Sequence, residues 1–468
     1  MKRHLLLLIG VSAATTLSAC ASVDTPDAPP APVGYASEAR QGASSTETAQ
    51  AGWLPNLGSP VMTQFVEEAL AANPSLLAAQ ARAAAAEARA DANAGRRWPS
   101  LDLSLGGSRT EAPDLTGALA TTDVLSAGAT ASWEVDLWGR IAASSQASAL
   151  DAAASAADAQ NAALSVTGQT ARAFVDLIAA EERLALAEED LSTRERALAI
   201  TERRYEQGIL SALSLRTARS QTASARAGQA AAADALLASA RRLQLLLGRY
   251  PDGALRAGQA LPALTPIEAA GAPEALLQRP DVVAAQARLL AAGFRLEEAR
   301  DALLPRLTLT GRATGEGGQF ADALDGDQIV RQLIGGLAAP VFQGGALRAD
   351  VRANEAEQEA AAAQYVDTLL NAWSEVEAAL SADQALAVQE AEFANAAVEA
   401  LEAQNLAERE YTRGVATIFE LIDAYSRRID AERALIGARN ERLSNRISFY
   451  VALGLAGLGD TPAEEAGQ

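Results

Sequence analysis

The stretch YTRGVATIFELIDAYS, which spans residues 411–426, has a weaker copy in YEQGILSALSLRTARS, which spans residues 205–220. Both copies begin with Tyr-x-x-Gly, and both lie between long alanine-rich stretches whose apolar residues recur at helical spacing. The glycines of the two copies, Gly208 and Gly414, are 206 positions apart. A signal that occurs twice in the same setting predicts an internal repeat, which has to be recognised before a fold is assigned.

Three further pairs of landmarks have the same separation of 206 positions. A proline opens a helical pattern in NPSLLAAQAR and RPDVVAAQAR, another proline precedes a strand pattern in WPSLDL and LPRLTL, and a glycine ends a helical pattern in LLLGR and VALGL. The pairs are Pro74 and Pro280, Pro99 and Pro305, and Gly248 and Gly454. Four pairs with one offset indicate a tandem duplication.

Each repeat starts with a helix that leads into two strands. In the first repeat Asn73 is the predicted helix cap and Pro74 the first helical residue, and the helical spacing continues to Gly95. The period then changes to two, which is typical of a strand with one apolar face. The alternating apolar residues are Leu101, Leu103 and Leu105, and then Ala129, Ala131, Trp133, Val135 and Leu137. The predicted β-hairpin spans about residues 98–138.

The second repeat has the same two-strand pattern, and its predicted β-hairpin spans about residues 304–343. A Gly- and Asp-rich loop is predicted over residues 315–327, between the two strands. The residues of the strand pattern are Leu307, Leu309 and Gly311, and then Ile334, Leu337 and Val341.

A very long helix follows each hairpin. The stretches beyond Gly139 and Gly345 are free of proline for about 65 to 70 residues before the next glycine turn, which corresponds to about 100 Å of helix. Gly208 and Gly414 mark the turns, and a second helix returns from each. Leu184, Leu191 and Leu198 recur every seven residues, which predicts a coiled-coil seam between the two helices.

These patterns predict a mixed α and β fold of two repeated units. Each unit is a helix, a β-hairpin, a very long helix, a tight turn and a returning helix. The predicted organisation is a signal peptide at 1–19, a lipidated N-terminus and tether at 20–55, a first repeat at 56–248 with its tip near 205–214, a connector at 249–272, a second repeat at 273–454 with its tip near 411–423, and a C-terminal tail at 455–468.

The N-terminus predicts export and lipid attachment. A basic start and an apolar run are typical of a secretory signal peptide. The sequence LSAC that ends at Cys20 resembles the lipobox of bacterial lipoproteins, and this resemblance implies that Cys20 is acylated; ordinary cleavage that leaves a free thiol is the alternative. Ser22 is not the aspartate associated with inner-membrane retention, so the expected location is the outer membrane. The Pro-, Ala- and Ser-rich residues that follow predict an unstructured tether.

The composition argues against enzymes, metal sites and nucleic-acid binding. The only histidine, His4, lies within the predicted signal peptide, and the only cysteine is Cys20. The mature chain therefore lacks the usual general base, and with Cys20 acylated it has no free thiolate either; the sequence contains no phosphate-binding glycine motif. The formal net charge of −20 gives no basic surface for nucleic acid. We expect no cofactor and no metal.

The strands raise a problem of closure. Four strands that each have an apolar face cannot close a barrel within one chain, and lipid cannot satisfy open sheet edges. Several copies must therefore join, giving eight strands from a dimer or twelve from a trimer. Trp98, Trp133 and Trp138 lie at or near strand ends, where aromatic residues mark a membrane interface, although core packing is the alternative for each.

The duplicated plan, the AAQAR after each helix-starting proline, the PxLxL strand starts and YTRGVATIFELIDAYS resemble the TolC-type outer membrane factor family. The lipobox makes the chain similar to the lipoprotein branch that serves RND-type efflux pumps. The resemblance covers nearly all of the chain after about residue 51. It implies a homotrimer in which two hairpins per copy form a twelve-stranded transmembrane β-barrel and the long hairpins form a periplasmic α-barrel. It also implies a periplasmic adaptor and an inner-membrane RND transporter as partners.

The same resemblance implies that the hairpin tips form the periplasmic aperture. It assigns the tips to Tyr205, Gly208 and Gly414, and the aperture to Tyr411, Glu420, Leu421 and Asp423. Asp423 has the position of the family's aperture aspartate, and three such residues would make a carboxylate ring that binds cations. Glu420 has an alternative role, because Thr417-x-x-Glu420 is also a capping box.

Two departures from the family affect closure. Some relatives carry an arginine at the position of Ala416 and an acid at the position of Ser214, so their salt-bridge latch is absent here. We expect closure to depend on Asp423, on packing by Leu421 and Ile422, and on hydrogen bonding by Tyr411. The expected function is a passive exit duct for drugs or other small solutes. The alternatives are the exit duct of a type I protein secretion system and a lipid-anchored periplasmic scaffold without a pore.

Overall fold

A computed structural model describes residues 35–36, 52–113, 117–264, 273–327 and 329–458. The predicted signal peptide, Cys20, most of the tether, residues 265–272 of the connector and residues 459–468 of the tail lie outside these described residues. The elements of the first repeat are α1 (Pro60–Ala72), α2 (Pro74–Gly95), β1 (Ser100–Pro113), β2 (Leu119–Val135), α3 (Arg140–Glu206) and α4 (Ala212–Leu246). Those of the second are α5 (Pro280–Asp301), β3 (Arg306–Gly317), the short α6 (Phe320–Ala323), β4 (Val330–Ala338), α7 (Ala346–Arg413) and α8 (Ile418–Ala452).

Side-chain caps set where the first helices begin. The Asn73 carboxamide oxygen accepts hydrogen bonds from the backbone N–H groups of Ser75 and Leu76, at 3.0 and 3.2 Å, so α2 begins at the predicted proline. The Asp136 carboxylate accepts from the N–H groups of Ile141 and Ala142, at 3.1 and 2.8 Å. A carboxylate at this position accepts hydrogen bonds from N–H groups that have no partner within the helix. Its negative charge is also attracted to the positive end of the α3 dipole.

The two long helices dominate the molecule. Helix α3 has 67 residues and α7 has 68, so each is about 100 Å long at 1.5 Å per residue. Next to the sheet the helices are neighbours in the order α2, α3, α5, α7; next to the tips the order is α4, α3, α8, α7. Ion pairs between α3 and α5, such as Asp158 with Arg288, and between α3 and α4, such as Glu202 with Arg219, follow this order.

The four strands form one antiparallel sheet in the order β1-β2-β3-β4. Strand β1 therefore has one open edge and β4 the other. The register puts Leu103, Ala129 and Ala313 side by side on one face, and Asp102, Thr130 and Arg312 side by side on the opposite face. We call these the leucine face and the polar face. The leucine face of β2 runs from Leu125 to Val135, and the ten residue-to-residue steps between them, in a strand tilted by about 40°, span a height of about 25 Å.

Three strand ends differ from the sequence prediction. Strand β2 ends at Val135, before Leu137, because Asp136 turns away to cap α3. Strand β4 ends at Ala338, before Val341, because Pro340 has no N–H for the ladder. In the predicted 315–327 loop, β3 continues to Gly317 and α6 then forms a single helical turn.

The predicted coiled-coil seam is displaced. Leu184, Leu191 and Leu198 are only half buried, and the fully buried line of α3 in this region contains polar residues. The buried residues are Leu186, Ala187, Asp190, Thr193, Arg194, Ala197 and Thr201. The reason is that α3 packs against both α4 and α8, so its buried stripe faces between two neighbours rather than one.

The main apolar core lies where the helices α1, α3, α4 and α8 meet, far from both the sheet and the tips. Trp53 stacks on Tyr450 with ring centroids 5.1 Å apart, and its indole N–H donates to the Leu455 carbonyl at 3.1 Å. The backbone N–H of Leu54 donates to the carbonyl of Gly457 at 3.1 Å. Residues 53–54 and 455–457 are thus joined at this level.

Among the described residues, no helix is both long enough and apolar enough to cross a membrane.

Candidate functional site

The first hairpin tip joins α3 to α4. Gly208 has a left-handed backbone with φ of 73°, which a residue with a side chain rarely adopts. The Ser211 hydroxyl caps α4 by accepting from the N–H of Ser214 at 3.2 Å, and the two hydroxyls are 3.1 Å apart. Tyr205 and Ile209 are exposed on the outside of the turn.

The second tip joins α7 to α8 by the same kind of turn. Gly414 has φ of 79°, and Thr417 and Glu420 form a reciprocal capping box. The Glu420 carboxylate accepts from the Thr417 N–H at 2.6 Å and from its hydroxyl at 2.9 Å. These two hydrogen bonds lower the pKa of the Glu420 carboxyl below its usual value. In the single chain Glu420 therefore makes the contacts of a helix cap.

Tyr411 is buried between the two hairpins. Its hydroxyl lies 2.9 Å from the Thr201 hydroxyl on α3, and only 2% of the residue is exposed. It packs in a small apolar cluster with Ala197, Ile418 and Leu421. Tyr411 and Leu421, which were predicted to line the aperture with Asp423, therefore contact other parts of their own chain.

Arg204 was not singled out by the sequence. Its guanidinium donates one hydrogen bond to the Tyr411 carbonyl at 3.0 Å and another to the Thr412 carbonyl at 2.9 Å. The same group lies over the Tyr411 ring, 4.9 Å from its centroid. The contact joins the C-terminal ends of α3 and α7. No local pattern reveals it, because the two sides are more than 200 residues apart in the chain.

Asp423, unlike Tyr411 and Leu421, has an exposed side chain. It accepts a hydrogen bond from Arg427 at 2.7 Å, one turn further along α8, and both side chains are mostly in solvent. A screened surface pair of this kind adds little to stability. Asp423 is therefore free to interact with ions or with another copy, although part of its charge is balanced by Arg427.

Ion pairs made by two buried arginines, Arg428 and Arg194, lie between the tips and the middle of the helices. Arg428 contacts Glu189 on α3 and Glu432 on its own helix, both at 2.8 Å. The hydrogen bonds from Arg428 lower the pKa of the Glu189 carboxyl, and they raise the pKa of the arginine. Asp190 and Arg194 form a second pair at 2.7 Å, and Arg194 also donates to Gln221 on α4 at 3.2 Å. These contacts hold α3 between α4 and α8.

The three tryptophans lie near the end of the sheet that adjoins the helices. Trp133 donates its indole N–H to the Arg97 carbonyl at 3.0 Å, and Trp138 donates to the Pro305 carbonyl at 2.7 Å. Trp98 is largely exposed. Two of the three thus connect the strands to the segments that enter from the helices. Within the described residues there is no group of carboxylates, histidines or cysteines suited to hold a metal.

A sheet with one apolar and one polar face, joined to helices of about 100 Å that end in paired tips, is the architecture of an outer membrane channel. A family model described as outer membrane efflux protein matches residues 65–249 and 272–455, one segment for each repeat. The chain belongs to this family, and it is an outer membrane efflux channel.

Individual relatives agree with this assignment. The chain is 30% identical to the pyoverdine export outer membrane protein OpmQ of Pseudomonas putida, with 99% of each chain covered. It is 30% identical to the outer membrane protein OprJ of Pseudomonas aeruginosa, with 95% of each covered. The crystal structure of the MtrE outer membrane channel of Neisseria gonorrhoeae matches with a TM-score of 0.79 and 26% identity, over 93% of this chain and 98% of the other. The pore-free scaffold considered from the sequence is therefore wrong.

Proposed function

We propose that three copies of the chain form one exit duct, whose barrel crosses the outer membrane and whose hairpin tips form its periplasmic mouth. The supporting observation is the pair of open sheet edges. Strand β1 is at one flank with α2 and α4, and β4 is at the other flank with α7. Joining β4 of one copy to β1 of the next pairs every edge in a closed ring. The number three comes from the resemblance to the family.

In this closed ring the two faces of the sheet contact different environments. The leucine face, with Leu101, Leu103 and Leu105 largely exposed in a single copy, contacts lipid. The polar face, which carries Asp102 and Arg312, contacts water inside the barrel. The Trp98, Trp133 and Trp138 side chains lie at the periplasmic interface, and an acylated Cys20 adds a lipid anchor in the same membrane.

The duct itself carries out no chemistry. Solutes enter the duct from a periplasmic adaptor and pass through it down their concentration gradient. The inner-membrane RND pump supplies the energy. Relatives are named for pyoverdine export, for cation efflux and for solvent efflux, which involve chemically different solutes. This range supports a conduit whose selectivity resides in its partners. At the mouth, Asp423 of each copy contributes to a ring of three carboxylates that attracts cations.

Planar lipid bilayers test the duct and its mouth together. The purified protein should give discrete channels that divalent cations block. Replacing Asp423 by Ala should enlarge the single-channel conductance and weaken that block, whereas Arg427→Ala should strengthen the block because it exposes the full charge of Asp423. An unchanged conductance and block in Asp423→Ala would reject the role of this residue. Absence of channels from the wild-type protein would reject the duct.

The partners are tested in cells. A strain without its own outer membrane efflux channel should regain drug resistance when it expresses this chain together with the matching adaptor and RND pump. Expression with a type I secretion transporter, measured by the secreted protein in the medium, is the comparison. Restoration of secretion without restoration of resistance would favour the protein-secretion duct instead.

A further inference from the structure

We propose that Arg204 holds the mouth closed by fastening the second hairpin tip to the first tip within each copy. This inference rests on the proposed channel function and names a residue that controls its opening. It replaces the expected latch, for which the arginine and the acid are missing at Ala416 and Ser214.

The first reason is the chemistry at the end of α7. The last four carbonyl groups of a helix have no partner within the helix, and they form the negative end of its dipole. The Arg204 guanidinium donates to two of these groups, the carbonyls of Tyr411 and Thr412, at 3.0 and 2.9 Å. A planar guanidinium can bind two acceptors at once in a fixed orientation, which a lysine cannot.

The second reason is that two residues of α3 contact the Tyr411 side chain. Arg204 lies over its ring at 4.9 Å, and the Thr201 hydroxyl lies 2.9 Å from its phenol oxygen. Thr201 and Arg204 are three residues apart, so they lie on the same side of α3. One short segment of the first hairpin therefore contacts the backbone, the ring and the hydroxyl of one residue of the second hairpin.

The third reason is that Tyr411 is coupled to the turn that carries Asp423. The Tyr411 ring packs in one cluster with Ile418 and Leu421, which belong to the first turns of α8. Asp423 is two residues beyond Leu421 and is exposed. A displacement of Tyr411 away from α3 would therefore move the segment that presents Asp423.

Arg204 is also free of competing carboxylates. Within the part of the chain that the structure describes, its polar contacts are the two carbonyls, while the neighbouring Arg219 and Arg226 are paired with glutamates of α3. Its charge is thus directed at the end of α7. The contact between Arg204 and α7 can therefore break without leaving a buried carboxylate unpaired. A contact that has to open and close in each gating cycle needs this property.

Single-channel recording with a matched pair of variants tests this role. Arg204→Ala should raise the ratio of open to closed time about tenfold, the factor that corresponds to about 1.4 kcal/mol. Arg203→Ala is the control, because the Arg203 side chain is exposed and bonds only to the Ala199 carbonyl of its own helix, at 3.3 Å. Arg204→Lys keeps the charge but not the double hydrogen bond, and it should open more than wild type and less than Arg204→Ala.

The outcomes separate this inference from the channel function. Equal opening of wild type, Arg203→Ala and Arg204→Ala, in channels that conduct normally, would overturn the role of Arg204 and leave the duct intact. Assembly should be unchanged in every variant, as judged by heat-dependent migration in gels. If Arg204→Ala fails to assemble, the test uses Arg204→Lys instead. A ratio of open to closed time equal to that of wild type in this variant would overturn the proposal.

Discussion

Arg446 of α8 and Asp383 of α7 form a buried ion pair, with the guanidinium 3.2 and 3.3 Å from the two carboxylate oxygens. The positions 206 residues earlier are Leu177 and Ala240, which are both fully buried in the apolar core. The two hairpins therefore differ at this pair of positions, which is apolar in the first repeat and charged in the second. Glu390, seven residues after Asp383, also forms ion pairs with arginines of α8.

The difference between the apolar pair of the first repeat and the charged pair of the second gives a stability prediction. Asp383→Leu removes the carboxylate that contacts the buried Arg446 guanidinium and should cost about 3–5 kcal/mol in the free energy of unfolding. Adding Arg446→Ala to that variant reproduces the Leu177 and Ala240 pair of the first repeat, so most of the loss should be recovered. Denaturant unfolding of the purified protein in detergent measures both. A double variant no more stable than Asp383→Leu would contradict this account.

The assignment of the two sheet faces is testable by placing one charge on each. Leu103→Arg puts a cation in the lipid-facing band and should cost about 2–4 kcal/mol. Thr130→Arg, on the opposite face at nearly the same level, should have little effect because its side chain points into water. The fraction of protein that migrates as a heat-modifiable species measures assembly. Equal losses in the two variants would contradict the assignment.

The capping box gives a pH dependence. Hydrogen bonds from Thr417 lower the pKa of Glu420 in the folded chain below its unfolded value. Its contribution is therefore complete above the usual carboxyl range and is lost as the pH falls below about 4, through the folded pKa. Amide exchange should show the first turn of α8 losing protection in this acid range. Glu420→Gln caps without titrating, and it should remove the pH dependence; the same acid response in both proteins would exclude Glu420 as its source.

Two glycines of β3 give a matched test of the short helix α6. A Cβ at Gly315 would overlap the Ala323 carbonyl oxygen, whereas a Cβ at Gly311 would meet nothing within 4 Å. Gly315→Val should displace α6 and speed chymotrypsin cleavage after Phe320. Gly311→Val should leave the cleavage rate unchanged. If both variants are cleaved at the wild-type rate, α6 does not depend on the close approach at Gly315.

The elements that repeat in the sequence could be predicted because each depends on local chemistry. The turns at Gly208 and Gly414 need a left-handed residue, and the start of α2 needs Asn73 and Pro74, so short motifs identify them. The alternating leucines identify β1 in the same way. The loop that contains α6 has only weak local signals and was predicted as irregular.

What the sequence does not reveal is which helices become neighbours. The Arg204 contact with α7 depends on two hairpins of different repeats meeting at their tips. The buried stripe of α3, with Asp190 and Arg194, depends on packing against α4 and α8 together. A heptad count along one helix assumes one partner, and it therefore selected Leu191 instead. Burial of Tyr411 and Leu421 follows from the same three-dimensional arrangement.

The unpaired edges of β1 and β4 have a genetic consequence. In a ring of three, every copy must pair its β1 and β4 edges with the neighbouring copies. One copy with a defective edge therefore prevents the barrel from closing. When normal and edge-defective alleles are expressed equally and mix at random, only about one ring in eight consists entirely of normal copies. An allele with a proline in the middle of β4 is thus expected to be dominant, and to sensitise cells that still carry an intact gene.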